Sequence, residues 1–176
     1  MNFCDETYYQ NFAGALLKEV LADEILSLQV VGEENQFTRF NGGKVRQTGF
    51  IKNGVVEATL IAGHDGKYNK SSFLLQISGD SNHDIATAKS QLKHLRRDLE
   101  NLPLDPYIKC PVGENQSHQV KKGSIPSPEK LTEHVLKEGS KLDLVGLLSA
   151  GQCVRGLFDS VGNRHWFSVN SFNVDY

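Results

Sequence analysis

The chain has 176 residues, 39% of them hydrophobic and 23% charged, with a formal net charge of −2. This suits one ordinary domain, or two small units sharing a core, and excludes an intrinsically disordered chain. The slight acidic excess argues against a dedicated nucleic-acid binder, whose affinity comes mainly from phosphate neutralisation, and no stretch approaches the roughly 18 apolar residues of a membrane-spanning helix.

Cys4, Cys110 and Cys153 are odd in number and far apart, so they make neither a CxxC pair nor a disulfide framework, which suits a reducing cytoplasm. The opening Met1-Asn2-Phe3-Cys4-Asp5-Glu6 lacks the basic and apolar regions of a signal peptide.

From Tyr8 to Ala22 the apolar residues Tyr8, Phe12, Ala15, Leu16 and Val20 recur at helical spacing. Leu26–Val31 and Phe37–Phe40 read as strands. Asn41-Gly42-Gly43 then signals a hairpin turn, with Lys44–Ile51 as the return strand. A second turn is expected at Lys52-Asn53-Gly54, before a strand from Val55 to Ala62. After the loop around His64-Asp65-Gly66, Ser72–Ile77 supplies another. Ser81, with Asp84 three residues on, is the expected cap of the clearest helix. Its apolar stripe is Ile85, Ala88, Leu92, Leu95, Leu99 and Leu102. That stripe requires a partner, and the preceding sheet is the obvious one.

All five prolines fall between Pro103 and Pro128, marking a connector. Ser127 and Pro128 then open a short helix whose Leu131 and Val135 face inward and which Gly139 ends. Strands follow at Leu142–Leu148, Gln152–Phe158 and His165–Phe172, with a turn at Val161-Gly162-Asn163. The expected fold is α+β: an antiparallel β-meander with helices packed on one side. A helix-then-strands order that occurs twice suggests an internal αβββ duplication. The expected units are 1–102, a connector 103–126, and the start of a second unit at 127–176.

No catalytic constellation emerges. The histidines His64, His83, His94, His118, His134 and His165 include no pair four or five apart. Beside Glu133-His134 the place for a second ligand holds Glu138, so no metal site is expected. Gly42-Gly43-Lys44 fails as a phosphate loop, with Thr38 in place of the first glycine and Val45 in place of the magnesium-binding hydroxyl. Asp5-Glu6, Glu33-Glu34, Lys121-Lys122 and the run Lys93-His94-Leu95-Arg96-Arg97 read as solvated surface. Cys153 reads as a small buried hydrophobe.

Two segments carry a resemblance. The first is Phe37-Thr38-Arg39-Phe40-Asn41-Gly42-Gly43-Lys44-Val45-Arg46-Gln47-Thr48, with the later helix exit Leu102-Pro103-Leu104-Asp105-Pro106. The second is Asp143-Leu144-Val145-Gly146-Leu147-Leu148-Ser149-Ala150-Gly151, continued by the run from Arg155-Gly156-Leu157-Phe158 through Ser160-Val161-Gly162-Asn163-Arg164-His165-Trp166 to Ser171-Phe172-Asn173-Val174-Asp175. Both resemble the amino-terminal part of the TldD/PmbA family, with departures at Phe158-Asp159 and Val174.

The resemblance implies a subunit of a zinc-dependent peptidase complex that encloses a cleft for extended peptides. It implies that the zinc motif lies in a carboxy-terminal half beyond this chain, so that no cofactor belongs to this stretch. The match leans towards the zinc-less PmbA-like (TldE-like) side, whose partner is a TldD-like sister subunit. The expected role is then a non-catalytic scaffold and substrate channel, with Arg39, Asn41, Arg155 and Asn163 as candidate peptide contacts. No nucleic acid or membrane is expected as a partner. Lacking its other half, the piece is expected to expose apolar surface and self-associate. A different expectation rests on an older family name that invokes modulation of DNA gyrase, namely a regulatory interaction module. An independent small enzyme is a third.

Overall fold

The computed structural model describes residues 2–176; Met1, where the signal-peptide reading begins, and the side chain of His64, one of the six surveyed histidines, lie outside the described residues. Helix α1 spans Glu6–Leu17, with Asp5 as its cap accepting from the Thr7 N–H. It begins and ends earlier than the apolar spacing suggests. The Glu19 carbonyl is taken by Arg96 Nη2 at 2.6 Å, and the chain turns out of the helix there.

Strands β1 (Glu24–Asn41) and β2 (Lys44–His64) form one long antiparallel hairpin, paired from Glu24–Ala62 to Asn41–Lys44. Its turn is Gly42-Gly43, both in the left-handed region with φ of 58° and 67°, as the right-handed twist of a two-residue hairpin requires. The expected turn at Lys52-Asn53-Gly54 does not form. Gly54 stands mid-strand, directly opposite Gly32. A side chain on Gly54 would collide with the Tyr9 hydroxyl, and one on Gly32 with the Phe3 carbonyl. These glycines mark a close approach of the amino-terminal segment rather than a turn.

Strand β3 (Lys67–Gln76) returns through Asp65-Gly66, again with positive φ at both residues. It starts five residues before the expected strand, because its first half is polar, as suits a sheet edge. Helix α2 (Ser81–Glu100) is capped by Asp80, one residue before the expected Ser81. The connector holds an unexpected strand, β4 (Gln116–Lys121), exposed along its whole length. Helix α3 (Pro128–Glu138) has the expected Ser127 cap and Gly139 end. Strand β5 (Gly146–Asp159) is continuous where two strands were expected, and β6 (Arg164–Asp175) closes the chain.

The strands form one open sheet in the order β3-β2-β1-β5-β6-β4, antiparallel except for β4, which runs parallel to β6. The fold is therefore α+β with its helices on one face. The register places Leu26, Leu28 and Val30 of β1 beside Val56, Ala58 and Leu60 of β2 and Val154 and Phe158 of β5. All are buried under α1 and α2, together with Trp166, whose ring centroid lies 6.0 Å from that of Tyr9. A smaller cluster of Phe40, Leu144 and Leu148 packs under Leu131, Val135 and Leu136 of α3. Three strands follow α1 and two follow α3, so the second run is one strand short of the expected αβββ.

Arg96 is not solvated surface. It grips Glu24 with Nε at 2.6 Å and Nη2 at 2.8 Å, tying α2 to the start of β1. Among the described residues no helix is long and apolar enough to cross a membrane.

Candidate functional site

With α1, α2 and α3 on one face, the far face of the sheet is free of helices. The stretch from Asp105 to Asn115 crosses one end of it, over Gln29, Thr59 and Leu157, with a cavity of about 810 Å³ between. The other end is open and holds the first pair of candidate residues. Arg39 pairs with Gln47 of β2 and with Leu147 of β5, and Leu147 with Asp175 of β6, so these four stand in one row across the sheet. The Arg39 guanidinium lies 5.8 Å from the Phe37 ring centroid and donates to Gln47 Oε1 at 3.4 Å. Phe37 in turn covers Gly49 in the next strand. The register shifts between Arg39 and Phe40, leaving Arg46 as the extra residue of a β-bulge, a device that re-aims a side chain. Arg39, Asn41, Arg46 and Asp175 border a groove of about 680 Å³.

Arg155 lies elsewhere. It pairs with Val31, eight positions before Arg39 on β1, and so stands ~27 Å along the strand. Its guanidinium donates to the Val154 carbonyl at 3.0 Å, and no carboxylate pairs with it among the described residues. Beside it Ser117 Oγ and His165 Nδ1 are 2.8 Å apart, and the three border a hollow of about 300 Å³. Asn163 is buried in the β5–β6 turn. Its Nδ2 donates to Asp159 Oδ2 at 2.7 Å, its N–H to Asp159 Oδ1 at 2.8 Å, and its Oδ1 accepts from the Asn115 N–H at 2.9 Å. The side chain is spent on shaping that turn and anchoring the chain ahead of β4. The four candidates thus occupy three places, and only Arg39 and Asn41 share one.

Two groups of neighbours escaped the sequence reading. Arg46 and Gln47 meet Arg39 across the expected Gly42-Gly43 hairpin, whose bulge the sequence does not announce, while Asp175 reaches the same row only through distant strands and Ser117 meets His165 only because β4 lies beside β6. Neither of these last two pairings leaves a local signal.

Among the described residues no group of three or more His, Cys, Asp or Glu side chains is placed to hold a metal ion. His118 Nε2 and Glu6 Oε2, 2.9 Å apart, are a pair without a third donor, and His134 is exposed on α3. A four-ligand or open three-ligand zinc centre does not fit these residues. Burial first, then the charge of Glu34, pushes the Cys4 thiol up to about 11, the opposite of what a nucleophilic cysteine needs.

Besides the outer edges of β3 and β4, two stretches of inner strand are unpaired among the described residues. β3 covers β2 only from Val55 onward, leaving Lys44–Asn53 open, and β4 covers β6 only as far as Val169.

No protein-family model matches the sequence, and no curated protein matches it. Solved structures do. One is a protein from Thermotoga maritima MSB8 described as a proposed modulator of a DNA gyrase, with a TM-score of 0.53 and 12% identity over 96% of this chain and 38% of that one. Another is TldE from Thermococcus kodakarensis, with a TM-score of 0.57 and 10% identity over 96% of this chain and 42% of that one. The chain spans about two fifths of the length of each. At these identities the likeness is one of fold, and it is the fold to which the TldD/PmbA resemblance in the sequence points.

Proposed function

We propose that this chain is a non-catalytic scaffold and substrate-channel region of a TldD/PmbA-type metallopeptidase assembly, on the zinc-less PmbA-like side. In that role it lines a path for extended peptides, while a TldD-like sister subunit brings the zinc and the hydrolysis. The observation that carries the reading is the unpaired edge of β2, set beside an uncovered sheet face in a fold shared with TldE. Such an edge suits a peptide main chain, which can add to it as a further strand. Arg39 and Asn41 at the hairpin end, and Arg155 farther along, are the side chains that contact the peptide. Asn163 contributes through the turn it shapes. Three free cysteines, Cys4, Cys110 and Cys153, agree with a cytoplasmic setting.

The test is binding of a chemically unfolded, alkylated polypeptide, compared with the same polypeptide folded, and then cleavage by the assembly with the sister subunit. Retention of the unfolded form alone, with slower cleavage by an Arg155→Ala assembly, is the expected result. Equal retention of both forms would sink the proposal. The description of the Thermotoga maritima neighbour favours a second reading, a regulatory binder of DNA gyrase. Capture of gyrase without any sister subunit would select it.

A further inference from the structure

Strand β2 outruns β3. Val55–His64 pair with Lys67–Gln76, whereas Lys44–Asn53 have β1 as their sole strand partner among the described residues. In an antiparallel strand every second residue turns its N–H and C=O away from the existing partner. Among the described residues no other backbone group reaches those of Lys44–Asn53. The bulge at Arg46 interrupts the ladder, so the regular free edge runs from Gln47 to Asn53.

The chemistry of this edge is one-sided. Arg46 and Lys52 flank it, Lys44 stands beyond, and Lys44–Asn53 contain no carboxylate. Lys52 is 3.6 Å from Glu34, and Lys44 and Arg46 have no ion-pair partner among the described residues. Between the cations lies Phe50, 73% exposed, with Ile51 exposed on the other face.

Charges on an edge commonly serve to prevent pairing between copies, and two of these edges side by side would bring Arg46 and Lys52 of each against the other. A second copy is therefore a poor occupant. An edge built only for protection has no use for an exposed phenylalanine at its centre. A strand with acidic ends and an apolar middle satisfies both features.

We propose that Gln47–Asn53 takes up an extended acidic peptide as an added strand, with peptide carboxylates on Arg46 and Lys52 and an apolar side chain against Phe50. This rests on the peptide-binding reading above and narrows its substrate class. The experiment is fluorescence anisotropy with short labelled peptides that carry a central valine two residues from glutamates, from serines or from lysines on either side, with threonine between, so that the end residues and the valine share one strand face as Lys52 and Phe50 do. A fourth glutamate peptide is N-methylated at alternate residues, which removes strand addition and keeps the side chains. The glutamate peptide is expected to bind about tenfold more tightly than the lysine peptide, and a folded Arg46→Glu/Lys52→Glu variant to reverse that order. N-methylation is expected to weaken binding about tenfold, and Phe50→Ala to weaken it further than any change on the far face.

Equal binding of all three valine peptides overturns the acidic preference and leaves general peptide binding standing. Failure of all three removes both. Full binding of the N-methylated peptide, or its displacement by oligothymidylate, identifies a polyanion patch in place of a strand-addition site and overturns the proposal.

Discussion

Asp84 is 1% exposed, one turn into α2, and accepts from the Tyr8 hydroxyl, the Ser78 hydroxyl and the Ser78 and Gly79 N–H groups. Burial alone would raise its carboxyl. The hydrogen bonds outweigh burial and hold it below the ordinary value of 3.8. A depressed carboxylate contributes stability above its unfolded value and loses it as the pH falls through the folded one. Asp84→Asn is therefore expected to cost about 2–3 kcal/mol near neutral pH. The gap from the parent protein should close below about pH 4. Urea unfolding across that range checks this, and a gap independent of pH would refute it. Gly54→Val is a second test at this scale. The new side chain meets the Tyr9 hydroxyl and the Phe3 ring, and a loss of about 1–3 kcal/mol is expected in thermal unfolding. Neither role was legible in the sequence. Asp84 read as part of a capping box, because nothing local announces Tyr8, and Gly54 read as a turn, because a glycine that permits close packing looks like one that permits a bend.

The helices differ in how firmly they are held. α2 buries Ala88, Leu92, Leu95 and Leu99, whereas α3 has no fully buried residue. Leu92→Ala is expected to cost about 2–5 kcal/mol. Hydrogen exchange is expected to show the amides of α3 opening well before those of α2, since opening energies follow buried contact. Equal protection of the two would contradict this account of their packing. Strong apolar periodicity made α2 plain in the sequence, and cap and proline did the same for α3. β4 was hidden because Gln116–Lys121 has no apolar alternation. What defines it is the edge of β6, along which it runs in parallel.

At the scale of the whole molecule, one ladder decides the architecture. β1 pairs with β5 from Ser27–Asp159 to Phe40–Gly146, joining the expected units 1–102 and 127–176 within one sheet. The main core is shared likewise, with Val154, Phe158 and Trp166 completing the packing of α1 and β1. Calorimetry is expected to show a single unfolding transition, and a fragment of residues 1–102 to give no cooperative transition of its own. Two separable transitions would mean that the units fold independently. Exposed apolar side chains away from the basic edge of β2, such as Leu74, Tyr107 and Val112, lead us to expect concentration-dependent association, which light scattering would register.

The amino-acid order alone determined the α+β class, the Gly42-Gly43 hairpin, the two later helices and the resemblance that the fold bears out, because each of these is written in local periodicity, turn chemistry or contiguous motif. Strand pairing decided the rest. The β1–β5 ladder, across more than a hundred residues, made one strand of each supposed pair in β1 and β5 and set Arg155 ~27 Å from Arg39, and β3 stopped short of the basic edge of β2. Side-chain period tells a strand which face to bury; it says nothing about which distant strand lies alongside, or where that strand stops.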